Sequence, residues 1–365
     1  MEKRWKICVL PGDGIGPEIT RQAVKVVKAA ADYYNVSLEL EEALIGGAAL
    51  EKEGMPLPMS TVTHCRAADA ILLGAVGDPR WDDQPLSMRP EGGLYSLRAK
   101  MGLYINLRPA VCYPILSDVA PLSQIGGFDL MVVRELSGGM YFGEKDVREE
   151  QGIRSAYDVE SYSEKEIERI ARFAFQMAEK RRKDLVSIDK ANMMETSRLW
   201  REVVERIASQ YPDVLLRHMY ADHAAMELIR NPKQFDVILT SNVFGDLLSE
   251  EAAALTGSVG LASSASLGYS ANGIYEGAHG SAPSLAGTNK ANPIGSILAA
   301  AMMFQHTYSM ELTAKAVQWA VMETLKHYRT ADIATPQMEP VGTEEMGDLI
   351  VRQFQEILPS VVSDH

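Results

Sequence analysis

Short apolar runs alternate along this chain with longer stretches in which apolar positions recur every three or four residues. That alternation predicts an α/β protein. Residues 7–10 read as a strand, followed by glycines and a helical stretch from about Glu18 to Tyr33. Residues 70–73, ending at Gly74 and Gly77, read as a further strand. Residues 78–93 are rich in Pro, Gly, Asp and Arg and read as a loop. Ser163 and Glu166 match a capping box, and behind them Ile167, Ile170, Ala171, Ala174 and Met177 keep helical spacing. The basic run 180–183 at the end of that helix reads as cations facing water and favouring the helix dipole, in preference to a phosphate-binding patch. The longest apolar stretch, 294–304, stops at Gln305 and His306 and reads as a buried helix too short to span a bilayer.

Four strand-like runs in the middle of the chain end in polar residues. Residues 130–133 end at Arg134, and 185–188 end at Asp189 and Lys190. Residues 214–216 are followed by Asp222, and 237–239 by Asn242 and Asp246. Ligands of open α/β sheets bind beyond the carboxyl ends of strands. If these four ends lie together, one arginine, one lysine and several carboxylates face one cleft, which is an anion-plus-metal site.

Composition narrows the function classes. The 365 residues suffice for about two domains, and 46% hydrophobic against 23% charged residues is a globular balance. A net charge of −13 argues against generic nucleic-acid or anionic-membrane surfaces, which need clustered positive charge. The apolar run 7–10, cut by Pro11, is too short for a signal-peptide core. Cys8, Cys65 and Cys112 have no CxxC spacing and fit free thiols, so a cytoplasmic location is expected.

The candidate chemistry is spread along the chain. The glycine cluster LPGDGIGPE (10–18) has GxGxG, not GxGxxG, and Asp13 would repel a pyrophosphate, so a Rossmann fingerprint is not expected. Arg98, Arg108 and Arg134 have the guanidinium forks that clamp carboxylates, although each taken singly is more often an ion-pair or surface residue. Asp246 and Glu250 share one helix face at i and i+4, and with Asp222 they make an all-oxygen set suited to Mg²⁺ or Mn²⁺. Lys190 is a candidate base and Tyr141 a candidate proton donor, though Tyr141 also reads as a packed aromatic. Residues 273–293 form a long turn-rich loop whose backbone can approach a nucleotide. His218 and His223 flank Asp222 and read as structural.

LPGDGIGPE, GLYSLRAKMGLYINLRPA, VRELSGGMYFGE, DKANMME, SNVFGDLLSE and AHGSAPSLAG stand here in an order and spacing that resembles the isocitrate/isopropylmalate dehydrogenase family of β-decarboxylating hydroxyacid dehydrogenases. The resemblance covers essentially the whole chain and is strongest to members acting on 3-isopropylmalate. It implies a two-domain α/β fold with one long mixed sheet, not a Rossmann fold. The first domain would comprise 1–104 and 257–365 and carry the cofactor side; the second would comprise 105–256, with the metal, the lysine and the dimer interface.

The implied reaction is oxidative decarboxylation of (2R,3S)-3-isopropylmalate to 4-methyl-2-oxopentanoate with reduction of NAD, a step of leucine biosynthesis, after closure of a cleft between the domains. The implied catalytic residues are Tyr141, Lys190 and Asp222. The substrate residues are Arg98, Arg108, Arg134, Asp222, Glu91, Leu94, Tyr95, Asn192 and Met193. Asp222, Asp246 and Glu250 would hold Mg²⁺ or Mn²⁺. NAD would lie against Gly77, Asp78, Pro79, Glu276, His279, Gly280, Ser281, Ala282, Pro283, Ser284, Leu285, Gly287 and Asn292. A homodimer is implied, with Lys190 and Asp222 reaching the neighbouring subunit's site.

Departures from the family pattern sharpen these expectations. Glu250 stands where aspartate is usual, adding a methylene to a metal-binding arm. Tyr95 replaces a leucine beside the alkyl group and is expected to reshape preference among alkylmalates. Ser284 replaces the aspartate that holds the adenosine ribose, but Leu285, Ala331 and Thr335 supply no cation for a 2′-phosphate, so NAD is still expected. The alternatives are a sibling dehydrogenase acting on another alkylmalate, malate or tartrate, and a non-catalytic nucleotide-binding relative.

Overall fold

In the computed structural model, residues 4–122, 124, 126–270 and 272–363 are described. The chain has an α/β fold with a large mixed sheet, and it divides into two compact units.

The first unit takes in Met1–Leu103, Tyr113–Ser123 and Thr256–His365. Its strands are β1 (Arg4–Gly12), β2 (Ser37–Glu42), β3 (Ala70–Ala75), β11 (Ser263–Gly268) and β12 (Ile274–Gly277), in the order β2-β1-β3-β12-β11. All neighbours are parallel except the antiparallel β11/β12 pair. The sequence AILLGA of β3 is buried at every position, as a central strand covered on both faces requires. By contrast β2, SLELEE, carries charges that protect an edge. Helix α1 (Gly16–Tyr34) follows β1, and α9 (Ile294–His306) is the buried helix expected from its apolar run.

The expected loop 78–93 is more ordered than its composition suggested. It holds 3₁₀ turns at Pro79–Trp81 and Leu86–Met88, and α4 (Pro90–Lys100) already begins at Pro90. Pro90 presets φ for the first helical turn. Gly92 and Gly93 are helical despite low propensity because a Cβ there would lie 2.0 Å from the Leu86 carbonyl and 2.5 Å from that of Pro56. Tight packing overrides propensity at both positions.

The second unit comprises Tyr104–Cys112 and Gln124–Leu255. Its strands are β4 (Leu103–Cys112), β5 (Phe128–Glu135), β8 (Asp184–Asp189), β9 (Leu215–Tyr220) and β10 (Val237–Thr240), in the order β4-β5-β10-β8-β9. β4 is antiparallel to β5, and the other four run parallel. β6 (Lys145–Glu150) and β7 (Ile153–Asp158) form a separate exposed ribbon. Helices α5 (Glu164–Glu179), α6 (Glu195–Ala208), α7 (Ala221–Arg230) and α8 (Asn242–Ala254) complete the unit.

The capping box is formed: Ser163 Oγ accepts from the Glu166 N–H, and Glu166 Oε2 accepts from the Ser163 N–H at 2.7 Å. In the basic run after α5, Lys180 and Lys183 are exposed as expected, whereas the two arginines make further contacts. Arg181 bonds Asp236 and Asp129, both at 2.8 Å, and Arg182 bonds the Asp129 and Phe235 carbonyls at 3.0 and 2.7 Å. These side chains stitch the helix end to the starts of β5 and β10, because buried Asp236 needs a charged partner there.

Candidate active site

The four expected strand ends do lie side by side. Thr240 pairs with Arg134 on one side and Ile188 on the other, and Asp189 pairs with Tyr220. Arg134 therefore leaves β5 next to the turn from β10 into α8. Its guanidinium is almost fully buried, with 1% of the side chain exposed. Nε and Nη2 donate to Asn242 Oδ1 at 3.0 and 2.7 Å, and Nη1 donates to Asp246 Oδ1 at 2.6 Å.

Arg108 reaches the same helix from β4. The antiparallel register sets Asn106 opposite Arg134 and Arg108 two residues on, so both face one side. Arg108 Nε donates to Asn106 Oδ1 at 2.9 Å, while Nη1 donates to Ser249 Oγ and Glu250 Oε1, each at 3.0 Å. Its Nη2 lies 3.4 Å from Asp246 Oδ1. Tyr141 Oη donates to Asp246 Oδ2 at 3.0 Å, and the Arg134 guanidinium carbon sits 5.9 Å from the Tyr141 ring centroid. Thus α8 gathers two arginines, a tyrosine and two carboxylates along one face.

Lys190 and Asp222 form a separate pair. Lys190 Nζ donates to Asp222 Oδ1 and lies 5.8 Å from the Tyr220 ring centroid. That contact holds the Asp222 carboxyl below its usual range, although 70% of its side chain is exposed. Asn192 and Met193 lie exposed in the turn after Lys190. His218 is half-buried, with burial lowering its pKa, and His223 is exposed.

Among the described residues, no three His, Cys, Asp or Glu side chains are grouped to hold a metal ion. Asp246 and Glu250 stand one turn apart on α8, and their oxygens are neutralised by Arg108 and Arg134. Both are partly exposed, and hard oxygen donors with room for water suit Mg²⁺ or Mn²⁺. The residues present fit such an ion as two ligands, with Asp222 held elsewhere by Lys190.

The remaining candidates belong to the first unit. Arg98 on α4 is buried and donates to Glu276 Oε1 at 2.6 Å. The Tyr95 ring centroid lies 6.0 Å from its guanidinium carbon, and Glu91 and Leu94 are half-buried on the same helix. Gly77, at φ 140°, donates to Asp13 Oδ2, and Asp78 is held below the usual carboxylate range by Arg80, which bonds it at 2.7 Å. Pro79 opens the 3₁₀ turn after it.

In the loop after Glu276, His279 Nδ1 meets the Gly280 carbonyl while Nε2 is buried without a hydrogen-bond partner. Ser281 is buried, and its carbonyl accepts from the Ile15 N–H at 2.8 Å. Ala282 is left-handed at φ 38° and leads into the turn Pro283–Leu285, in which Ser284 and Leu285 are exposed. Gly287 has open space around it. Asn292 caps α9 by accepting from Ile294 N–H at 3.0 Å and donates to Asp332. The exposed backbone of this turn leaves room for a dinucleotide to approach.

The glycine cluster has a structural task. Asp13 is buried and accepts from the N–H groups of Gly47, Ala48 and Gly77 at 2.8–2.9 Å. Burial raises its pKa against the pull of those three donors. Gly14 admits the Ser281 carbonyl, which a Cβ would meet at 2.0 Å.

Sequence reasoning assigned no role to Asn106, Ser249 or Asn242. Asn106 precedes Arg108 by two residues on a strand, and Ser249 follows Asp246 by three on a helix, so periodicity carried a signal for both. Asn242 was visible only as a polar strand end.

A sequence profile of the isocitrate/isopropylmalate dehydrogenase family matches residues 6–350. The 3-isopropylmalate dehydrogenase of Methylococcus capsulatus is 52% identical over 357 residues, covering 96% of this chain and 99% of its own. That of Pseudomonas fluorescens strain Pf-5 is 51% identical over the same shares. The crystal structure of isocitrate dehydrogenase from Methylococcus capsulatus superposes with a TM-score of 0.85 at 34% identity, covering 97% of this chain and 100% of that one.

Proposed function

The chain belongs to the isocitrate/isopropylmalate dehydrogenase family, and from that premise we propose that it oxidises and decarboxylates (2R,3S)-3-isopropylmalate to 4-methyl-2-oxopentanoate, with NAD as acceptor and Mg²⁺ or Mn²⁺ as metal. The observation that carries this reading is the convergence of Arg108, Arg134 and Tyr141 on Asp246 along one face of α8. Guanidiniums recognise a dicarboxylate, a tyrosine delivers a proton, and a carboxylate pair suits a hard cation.

Arg98, Arg108 and Arg134 hold the two substrate carboxylates. Asp246 and Glu250 would hold the cation, with Asp222 contributed by a second subunit, and the His279–Leu285 loop with Gly77, Asp78 and Asn292 would hold the dinucleotide. When bound, the cation supplies Lewis acidity at the C2 oxygen and NAD the hydride acceptor. Lys190, directly or through a water, takes the C2 hydroxyl proton. Loss of the β-carboxylate as CO₂ leaves its electron pair on C3 as an enolate. Tyr141 then protonates C3; its ring lies beside Arg134, the guanidinium assigned to the substrate.

We further propose a cytoplasmic homodimer. Lys190 and Asp222 pair with each other, apart from the Asp246 cluster, which supports their serving a second subunit's site. The three cysteines are free thiols, as a reducing compartment requires. Among the described residues no helix is long and apolar enough to cross a membrane.

The test is NADH formation from 3-isopropylmalate with Mg²⁺, beside malate, tartrate and isocitrate. Preference for isopropylmalate is expected; turnover of another acid alone would replace the substrate assignment and make Tyr95 the first residue to test. EDTA is expected to abolish turnover and Mg²⁺ or Mn²⁺ to restore it. A higher kcat/KM for NADP than for NAD would overturn the cofactor assignment, which rests on Leu285, Ala331 and Thr335 offering no positive side chain to a 2′-phosphate.

A further inference from the structure

Asn242 is the first residue of α8 and is fully buried. Its carboxamide oxygen accepts from Arg134 Nε and Nη2 at 3.0 and 2.7 Å. Its carboxamide nitrogen donates to the carbonyls of Gly138 at 2.8 Å and Leu136 at 3.3 Å. Its backbone N–H donates to Tyr162 Oη at 2.9 Å. Only a carboxamide places an acceptor and two donors on one short planar group. An aspartate would set acceptor against acceptor at the two carbonyls, and an apolar residue would leave both sides unpaired in the interior.

The groups joined in this way are those that must keep a fixed relation for the reaction proposed above. Arg134 is the guanidinium assigned to substrate. Leu136 and Gly138 belong to the turn that carries Tyr141. One helical turn after Asn242, Asp246 meets Arg134 and the Tyr141 hydroxyl again. The turn is held from its other side too. Glu135 is buried and accepts from the N–H groups of Ser137 and Gly138 at 2.9 and 2.7 Å. A Cβ on Gly138 or Gly139 would lie 2.7 or 2.5 Å from Tyr162, so the turn rests directly on that ring and hydroxyl.

We propose that Asn242 is a positioning residue: it sets the Tyr141 turn relative to Arg134 and acts on proton delivery through Tyr141. The proposal rests on the roles assigned to Tyr141 and Arg134 above. A misplacement of about 1 Å in such a group is enough to cost about a hundredfold in rate.

The test is a double-mutant cycle of Asn242→Asp and Tyr141→Phe. Asn242→Asp keeps the acceptor for Arg134 and loses both donors to the turn. It is expected to lower kcat at least about tenfold while KM for isopropylmalate moves less than about threefold. In the Tyr141→Phe background the same substitution is expected to change kcat less than about twofold, because the group it positions is gone. Equal losses in both backgrounds, or a risen KM with kcat intact, overturn the proposal. Asn242→Ser, which buries no charge, gives the same comparison if the aspartate variant does not fold. Tyrosine labelled with ¹³C at Cζ, with the Tyr141 resonance assigned from Tyr141→Phe, reads the position without turnover. That resonance is expected to shift in Asn242→Asp, and an unmoved resonance overturns the proposal. Failure of the wild type to use isopropylmalate would instead overturn the substrate assignment, and the resonance would still decide the role of Asn242.

Discussion

Each arginine of the candidate site already has an acidic partner: Arg98 has Glu276, Arg108 has Glu250 and Arg134 has Asp246. Burying a guanidinium without such a partner is costly, so each of the three is held in an ion pair within its own unit. Tyr95, three residues before Arg98 on α4, places an aromatic ring beside that pair. Tyr95→Leu is expected to shift relative kcat/KM across alkylmalates of different chain length by about tenfold or more. Unchanged ratios would remove Tyr95 from the substituent pocket. His218 yields a stability expectation. Burial lowers its pKa despite Asp189 and Glu205 nearby. The unfolded chain therefore takes up this proton first as pH falls through about 6.5. His218 should cost stability below that value, with the loss levelling off once the folded residue also protonates. Urea midpoints between about pH 7 and 5 should slope less in His218→Gln than in the wild type.

Helix α8 shows how one element can organise chemistry. Asn242, Asp246, Ser249 and Glu250 recur at three- and four-residue spacing and meet the two arginines that arrive from adjacent strands. Gly245 lets Arg134 pass beneath the helix, since a Cβ there would sit 2.6 Å from Arg134 Cγ. Gly245→Ala would gain about 1 kcal/mol of helix propensity but force a buried arginine aside, at about 1–3 kcal/mol. The clash is expected to win: a lower melting temperature together with a raised KM for the dicarboxylate. A stabilised variant of unchanged KM would contradict this. Ser163→Ala, which removes only the cap of α5, is expected to cost about 1 kcal/mol and to leave kcat unchanged.

For the whole molecule, the proposed sharing of sites between subunits has a direct consequence. Lys190→Ala and Tyr141→Phe should each be nearly inactive. If Lys190 works in the neighbour's site, co-refolding the two should place both lesions in one site of each heterodimer and leave its other site intact. About a quarter of wild-type activity should then return. No recovery would place Lys190 and Tyr141 in one subunit's site.

The short-range features are legible in the sequence. The α/β alternation, the capping box at Ser163, the buried apolar helix and the polar ends of four strands each follow from residue spacing, because periodicity reports which face of a local element is apolar. Motif order likewise identified the family. What spacing could not report is which distant groups meet. Arg134 and Asp246 are 112 residues apart, and Asn242 and Gly138 are 104. Only the parallel pairing of β5, β10 and β8 brings those ends together. The same limit explains the contacts that spacing did not foretell. Asp13 has no local sign that three distant N–H groups converge on it, and Arg181 has none that Asp236 is buried within its reach. Local geometry is written in a window of a few residues. The pairing of buried charges and donors is decided by the tertiary structure, where desolvation makes every unpartnered polar group costly.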